Sequence, residues 1–590
     1  MSGYRAPIED MLFATNRLAQ YESVAAQTQA AEATPELLAA VLEQAAKLAG
    51  EVLAPINRSG DEQGVQVVDR QVRAAAGFRE AYAQFRTGGW MSLQAPAQYG
   101  GQGLPQLLAT PVMEMWKSAN LAFSLCPMLT LGAIDAIAHH GSEDLRRTYL
   151  PRMVAGDWTG TMNLTEPQAG SDVGAVAARA VADGDRYRIS GQKIFITWGD
   201  HDMAENIVHL VLARLPDAPE GTRGLSLFLV PKFLPGADGR PGARNDVYPA
   251  SVEHKLGIHA SPTCVMRYGD DGGAIGWIVG EPNRGMQCMF TMMNQARLAV
   301  GLEGVGIAER AYQQAREYAR QRIQGTVAGS AAKVAIIAHP DVRRMLLSMR
   351  ACVEAMRALA YVAAADVDRA ARGADASARA RAAARVALLT PIVKGWCTEL
   401  AQEVVSLGVQ IHGGMGFIED TGAAQHLRDA RITAIYEGTN GIQALDLVGR
   451  KIMGDGGRAL MALLDEMNST AAALEAHPLG ALVPIRDGFA RALRALTQAS
   501  SWLREHFADD PHVVGSIAYD FMMLAGTVCG GWQMARAALA VADTPDGAFE
   551  RGKLATASFY ATHILPRAGA HGRAVQSGTG AIMAMPEDWF

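Results

Sequence analysis

The spacing of apolar residues changes twice along this chain of 590 residues, and these changes restrict its fold more than any other feature. Up to about residue 157, and again from about residue 285, apolar residues recur every three or four positions, as in amphipathic helices. Between residues 158 and 280, short β-branched runs alternate with Pro, Gly and Asp clusters, which indicates strands. The pattern predicts an α+β fold that is mostly α, with a β domain between helical regions.

The N-terminal region has clear helix signals. Thr34 is a good N-cap before Pro35, and Gly50 is expected to end that helix. Further helices are predicted at 78–85, 106–118, 132–140 and 143–153.

In the β region, the run 187–198 contains two strand-like stretches on either side of Ser190 and Gly191, which predicts a hairpin there. Further strands are predicted at 207–215 and 225–230.

The second half of the chain is predicted to be helical to its end. The Ala- and Arg-rich run 362–389 indicates one long helix, because aliphatic residues persist at both of its ends. The Gly-Asp-Gly-Gly sequence that begins at Gly454 is a candidate hinge. Breaks in the following helical segment are predicted at 477–478, 509–511 and 543–547.

Charge and composition exclude several classes of protein. The net charge is −6, which disfavours a protein that binds nucleic acid by neutralising phosphates. The six Cys are scattered with no C-x-x-C pair, which is typical of reduced thiols in the cytoplasm. No secretory signal is recognised, and the longest uncharged apolar stretch, 521–535, is shorter than the roughly 20 residues of a membrane span. The expected location is therefore cytoplasmic.

One common nucleotide-binding motif is absent from the sequence, and two other local patterns are better explained by ordinary structure. The sequence contains no G-x-G-x-x-G between a strand and a helix. The run 547–553 imitates a phosphate-binding loop, but Leu554 replaces the required Ser or Thr, so an inter-helix turn is expected. His139 and His140 are adjacent on a helix and point about 100° apart, which favours a solvated pair. No metal site is predicted.

Two glycine-containing segments are candidates for ligand contact. The loop 162–174 is rich in hydroxyl groups and backbone N–H donors, which suits a polar heterocycle or a phosphate. It is equally compatible with an ordinary polar loop. The run 410–417 contains three Gly, at 413, 414 and 416, in a helical region, which permits close approach of the backbone to a ligand. A plain inter-helix turn is the alternative.

Glu437 is the candidate catalytic residue. It lies between an apolar run and Gly438, and a carboxylate desolvated there has a raised pKa and can act as a general base. The alternative is that Glu437 caps a helix at 442–452.

Taken in order, several motifs resemble those of the acyl-CoA dehydrogenase family of flavoproteins. They are Tyr99-Gly-Gly-Gln-Gly, Tyr149-Leu-Pro-Arg, Thr165-Glu-Pro-Gln-Ala-Gly-Ser-Asp, Lys193-Ile-Phe-Ile-Thr and Asn283-Arg-Gly-Met. The length and the C-terminal helical segment resemble a long bacterial subgroup of this family. The resemblance implies an N-terminal helical domain (1–157), a middle β domain (158–280), a four-helix bundle domain (281–453) and an extra C-terminal helical domain (454–590).

The resemblance also implies the cofactor, FAD, and the residues around it. By similarity, FAD is contacted by Met162, Leu164, Thr165, Ser171, Phe195, Thr197, Thr439 and Gly441, and from the partner subunit by Arg322, Gln410 and Gly414. The substrate is contacted by Ser171, Asn294, Arg297, Tyr436 and Gly438.

The implied reaction is α,β-dehydrogenation of an acyl-CoA thioester. Glu437 takes the α proton while flavin N5 takes the β hydride, and the electrons pass to electron-transferring flavoprotein. Some members place the base on the helix near Asn294, but here that position is Ala296. The implied substrate is a fatty acyl-CoA or 3-methylmercaptopropionyl-CoA, and the implied assembly is a homodimer or a higher homo-oligomer.

Two alternatives share the fold. An acyl-CoA oxidase uses O₂, although Thr439-Asn-Gly-Ile-Gln favours a dehydrogenase. A DNA-protecting flavoprotein uses a basic C-terminal region, whereas from residue 451 onward this chain has 14 acidic and 11 basic residues.

Overall fold

The computed structural model describes residues 3–28, 30, 32–236, 238–329 and 331–590. These residues form two compact units. The helical unit consists of Met1–Ala46, Pro105–Ser118 and Val300–Phe590. The sheet unit consists of Lys47–Leu104 and Ala119–Ala299.

The α-helices account for most of the chain. In chain order they are α1 (Ile8–Phe13), α2 (Tyr21–Gln27), α3 (Pro35–Lys47), α4 (Pro55–Gln63), α5 (Phe78–Thr87), α6 (Gln106–Ala119), α7 (Leu121–His140), α8 (Glu143–Val154), α9 (Gly285–Gln321), α10 (Pro340–Arg372), α11 (Ala376–His412), α12 (Ala423–Ala430), α13 (Asn440–Leu445), α14 (Arg458–Ala476), α15 (Val483–His506), α16 (Val513–Val541), α17 (Ala548–Phe559), α18 (Arg567–Gln576) and α19 (Gly580–Met583).

The strands lie mainly between α8 and α9. They are β1 (Gln66–Val68), β2 (Gln71–Arg73), β3 (Trp158–Asn163), β4 (Arg179–Asp183), β5 (Arg186–Thr197), β6 (Asn206–Arg214), β7 (Leu225–Pro231), β8 (Phe233–Pro235), β9 (Pro241–Arg244), β10 (Val247–Val252), β11 (Thr263–Tyr268) and β12 (Ala274–Val279). Within the described residues, one sheet has the order β10-β11-β5-β12-β7-β6-β3, and β4 pairs with β5 and β6. The predicted α+β, mostly α fold is confirmed.

Local capping explains where several predicted helices begin. The Thr34 hydroxyl accepts a hydrogen bond from Leu37 N at 3.2 Å at the start of α3. The Asn120 side chain accepts one from Phe123 N at 3.0 Å, so α7 begins well before the predicted residue 132. The expected stop at Gly50 is wrong: the chain continues as a π-helix, Leu48–Leu53, in which Ala49 and Leu53 are buried.

The predicted hairpin at Ser190 and Gly191 is also wrong. β5 runs without interruption through both residues, and the turn lies earlier, where Asp183 pairs with Arg186. Gly191 has a φ of 138°, and a Cβ there would lie 3.0 Å from Cα of Ala178. The glycine therefore permits close packing on a neighbouring segment rather than a chain reversal.

The predicted helix at 362–389 is divided into α10 and α11. The break covers residues 373–375, and the Asp375 carboxylate caps α11 by accepting a hydrogen bond from Ala378 N at 2.7 Å. The breaks predicted at 477–478, 509–511 and 543–547 all separate helices. The inter-helix turn expected at 547–553 is wrong, because α17 begins at Ala548.

Two helices in the described part of the chain, α7 and α16, are long and apolar enough to cross a membrane. However, 78% and 72% of their most apolar windows are buried inside the protein. Helices in the cores of other proteins meet the same criteria.

A cluster of buried charges joins distant parts of the helical unit. The Arg357 guanidinium forms ion pairs with Glu114 at 2.5 Å, with Asp10 at 2.6 Å and with Glu309 at 2.8 Å. Lys553, on α17, forms ion pairs with Asp10 and with a further buried carboxylate. The C-terminal helices are thus tied to the N-terminal segment and to α6, α9 and α10.

We expect Lys553→Met to destabilise the helical unit by about 1–3 kcal/mol, because Asp10 and Glu354 each lose one of two cationic partners and the hydrogen bond that it donates. Equilibrium unfolding in urea, followed by far-UV circular dichroism, measures this change. Arg551→Met, on the exposed side of α17, is the control. Equal stability of the two variants would contradict the prediction.

Candidate active site

A buried carboxylate closes the polar loop that follows β3 in the sheet unit. Glu166 Oε1 lies 2.8 Å from Lys193 Nζ, and both side chains are almost fully buried. The same carboxylate accepts hydrogen bonds from the backbone N–H groups of Ala177 at 2.7 Å and Ala178 at 3.1 Å. Burial lowers the pKa of Lys193 to about 8, while the Glu166 charge opposes this shift. These contacts fix the shape of the loop.

Sequence reasoning missed the structural role of Glu166 and Lys193. Both belong to the motifs quoted above, but their pairing joins positions that are 27 residues apart. An acidic residue in one motif and a basic residue in the other were the available signal.

The structure brings five predicted cofactor residues of the sheet unit together where β3 and the loop after it meet the end of β5. Thr165 O accepts a hydrogen bond from Ile194 N at 2.9 Å, and Thr161 Oγ1 donates one to Thr197 O at 2.7 Å. These bonds hold β3 and its loop beside the end of β5. The residues brought together are Met162, Leu164, Thr165, Phe195 and Thr197. Ser171 lies further along the loop and is exposed.

Phe195 has unusual backbone and side-chain environments. It lies in a β-bulge, where Ile194 and Phe195 face the single residue Val265 of β11. Its φ is 60°, and 58% of the residue is exposed. An aromatic residue in the left-handed region is strained, and such strain is concentrated at binding and catalytic sites. The bulge therefore presents an exposed aromatic ring beside the loop that follows β3.

In the helical unit, Glu437 lies in a left-handed turn. Its φ is 56° and that of Gly438 is 83°. Thr439 is the N-cap of α13, because its hydroxyl accepts a hydrogen bond from Ile442 N at 3.2 Å. The alternative in which Glu437 caps this helix is therefore wrong. Glu437 itself is half-buried.

Buried side chains hold the backbone on both sides of Glu437. Lys394 Nζ donates hydrogen bonds to Gly438 O at 2.9 Å and to Asn440 Oδ1 at 2.8 Å. On the other side, the Tyr436 hydroxyl donates to the buried carboxylate of Glu303. Burial and this carboxylate raise the pKa of Tyr436 well above its usual value. Tyr436 and Gly438, both predicted to contact the substrate, thus also anchor the turn.

Sequence reasoning missed Lys394 and Asn440. Lys394 is a single basic residue in an apolar stretch of α11, and this was the only sequence signal for a buried function. Its partners are 44 and 46 residues away, so spacing could not identify them.

The two substrate residues predicted on α9 belong to the sheet unit. Asn294 is exposed, whereas Arg297 is buried to 6% exposure. Positions three apart lie on the same side of a helix. A ligand can therefore contact both residues only if it reaches Arg297 from the side on which Asn294 is exposed. Ala296, between them, carries no acid or base.

The residues predicted to act from a partner subunit lie at one end of the helical unit. The rings of Tyr318 and His412 stack with centroids 4.4 Å apart, which joins the end of α9 to the end of α11. Arg322 follows Tyr318 by one helical turn, and Gln410 and Gly414 flank His412. All three predicted residues are exposed, as are Thr439 and Gly441 at the start of α13.

Four family models match consecutive parts of the chain. They are the acyl-CoA dehydrogenase N-terminal domain (35–157), the middle domain (161–270), the C-terminal domain (283–453) and the acetyl-CoA dehydrogenase C-terminal-like domain (463–586).

Similar proteins extend over almost the whole chain. The 3-methylmercaptopropionyl-CoA dehydrogenase of Ruegeria pomeroyi is 47% identical over 589 residues, covering 98% of this chain and 99% of the relative. A broad-specificity linear acyl-CoA dehydrogenase of Mycobacterium tuberculosis is 33% identical over 619 residues, covering 100% of both.

A solved structure shows the same fold. It is an acyl-CoA dehydrogenase of Bacillus anthracis complexed with FAD, with a TM-score of 0.75 and 20% identity, covering 94% of this chain and 89% of that one. The family expected from the motifs is confirmed. This chain belongs to the acyl-CoA dehydrogenase family and is an oxidoreductase that acts on acyl-CoA.

Proposed function

We propose that this protein binds FAD and oxidises an acyl-CoA thioester to the trans-2-enoyl-CoA, with Glu437 as the catalytic base. The observation that carries the proposal is the left-handed turn at Glu437 and Gly438, which Lys394 holds from within the protein. A rigid support is what a general base requires, because proton transfer depends on close and directed approach.

The place where β3 and its loop meet the end of β5 fits the flavin part of FAD. A flavin ring is flat, with a polar rim, and this place offers the exposed Phe195 ring together with Thr165, Thr197 and backbone groups. Met162 and Leu164 add apolar contact. The charges of Glu166 and Lys193 cancel, so this ion pair places no net charge next to the flavin ring. Ser171, Thr439 and Gly441 are proposed to complete the site.

When bound, FAD supplies the two-electron oxidant that removes the β hydrogen as hydride. Glu437 removes the proton from Cα of the thioester. We expect its backbone N–H to donate to the thioester oxygen, which stabilises the negative charge that develops there. Asn294, Arg297 and Ser171 are proposed to orient the CoA thioester, together with Tyr436 and Gly438.

The proposed substrate is 3-methylmercaptopropionyl-CoA, because the Ruegeria relative that carries this name is similar over nearly its whole length. Linear fatty acyl-CoA is the second candidate, supported by the broad-specificity relative. Electrons are proposed to pass to electron-transferring flavoprotein, in the cytoplasm.

A homo-oligomer is proposed from the exposed end of the helical unit. Arg322, Gln410 and Gly414 lie there beside exposed apolar residues, including Phe417, which is 84% exposed. An exposed apolar patch of this kind marks an interaction surface. When a partner subunit binds there, Arg322, Gln410 and Gly414 of one subunit contact the FAD of the other.

We expect Glu437→Gln to abolish substrate-dependent bleaching of the flavin, lowering its rate by about 10²–10⁴-fold, because the amide cannot accept the α proton. Anaerobic stopped-flow absorbance measures the rate. Glu505→Gln, an exposed residue of α15, is the control and should behave as the unmodified protein. Bleaching of Glu437→Gln at the control rate would disprove the role of this residue.

We expect Phe195→Ala to weaken FAD binding about tenfold, because the loss of aromatic contact is worth about 0.5–1.5 kcal/mol beyond the lost buried area. Fluorescence titration of the flavin-free protein with FAD gives the dissociation constant. Phe507→Ala removes another partly exposed aromatic ring and should leave the constant unchanged. Equal constants for both variants would exclude Phe195 from the flavin site.

We expect 3-methylmercaptopropionyl-CoA to be oxidised with a higher kcat/KM than pentanoyl-CoA, in which a methylene replaces the sulfur. The two thioesters have nearly the same length, so a difference reports the thioether. Steady-state assays with an artificial electron acceptor measure both, and palmitoyl-CoA extends the series. A preference for palmitoyl-CoA would favour the second substrate candidate.

A further inference from the structure

One turn of α11 connects the Glu437 loop with the C-terminal helix α16. On one side of this turn, the fully buried Lys394 donates to Gly438 O and to Asn440 Oδ1. The Asn440 amide in turn donates to Thr398 Oγ1 at 2.9 Å and to Gly395 O at 3.3 Å. The backbone immediately after Glu437 is therefore fixed to α11 by side-chain hydrogen bonds.

The other side of the same turn packs against α16 without spare space. A Cβ on Gly526 would lie 2.2 Å from Cγ of Trp396, and a Cβ on Gly395 would lie 2.2 Å from Sδ of Met522. Only glycine allows this separation at both positions. The position of α16 thus determines where residues 395 and 396 lie.

A polar connection runs parallel to this packing. Asn440 Nδ2 donates to Glu399 Oε1 at 2.8 Å. Burial and this carboxylate raise the pKa of the Tyr519 hydroxyl of α16 to about 12, so that hydroxyl lies beside Glu399. Asn440 is buried, so its amide depends on these partners for its hydrogen bonds. Tyr519 therefore lies beside the carboxylate that accepts a hydrogen bond from the Glu437 loop.

We propose that the C-terminal helix α16 sets the position of Glu437, with Tyr519, Lys394 and Asn440 as positioning residues. This inference rests on the proposed role of Glu437 as base. The segment after residue 454 would then have a role in catalysis, because it sets the geometry of proton abstraction by Glu437 of the same chain. Small displacements of a reacting group have large effects on rate, so loss of these contacts acts on kcat.

The test uses full-length, FAD-loaded enzyme and three variants. Tyr519→Phe removes only the hydroxyl that lies beside Glu399. Lys394→Met removes the ammonium that holds Gly438 O. Tyr560→Phe is the matched control: its hydroxyl donates to Thr527 O of α16 at 3.0 Å and has no hydrogen bond to the Glu437 loop. Flavin content and thermal unfolding are measured for each variant.

The readouts are kcat, KM and the primary isotope effect with α-deuterated acyl-CoA. We expect kcat to fall about 10–100-fold in Lys394→Met and several-fold in Tyr519→Phe, with KM within about twofold, since positioning affects the chemical step rather than binding. The isotope effect should rise in both variants. Tyr560→Phe should keep kcat within about twofold of the unmodified enzyme.

The outcomes separate this inference from the proposed function. Full activity of Glu437→Gln would overturn both. Inactivity of Glu437→Gln, combined with a kcat and isotope effect of Tyr519→Phe equal to those of Tyr560→Phe, would overturn the positioning role alone. The Tyr519→Phe result decides the question even where Lys394→Met does not fold, because the changed hydroxyl belongs to a partly exposed residue.

Discussion

Buried lysine ammonium groups hold together the segments on which this protein depends. Each of three such groups joins parts of the chain that are far apart in sequence: Lys193 holds the loop after β3, Lys394 holds the Glu437 turn, and Lys553 joins α17 to the N-terminal segment. A buried ammonium is stable only where oxygens surround it, so each fixes several groups at once. The loops near the proposed site are therefore specified by charge and hydrogen bonding as much as by apolar packing.

The proposed flavin-contacting residue and the proposed catalytic base share a backbone feature. Phe195 and Glu437 both have φ near +60°, which is costly for residues that are not glycine. In each case neighbouring hydrogen bonds maintain the conformation: the Thr165–Ile194 bond beside Phe195, and the Lys394–Gly438 bond beside Glu437. Strain at both positions is thus supported by the fold.

The spacing of apolar residues and the positions of Gly, Pro and Asp predicted the helical and β regions and the breaks between the last helices, because these features depend on local sequence. The hairpin at Ser190 and Gly191 was wrong because sheet pairing on both sides of β5 outweighs a local turn signal. Motifs indicated Glu437 and the loop after β3. Lys394 and Asn440 could not be found in this way, because their importance arises from contacts formed across more than 40 residues of sequence.

The interlocked glycines of α11 and α16 have a consequence for how this chain can change during evolution. Trp396 occupies space that Gly526 leaves open, and Met522 occupies space that Gly395 leaves open. A lineage that loses the C-terminal helices exposes a tryptophan and opens a gap beside it, so its α11 must change as well. These four positions are expected to vary together among relatives, and the C-terminal segment to be inherited as a unit with the helix it rests on.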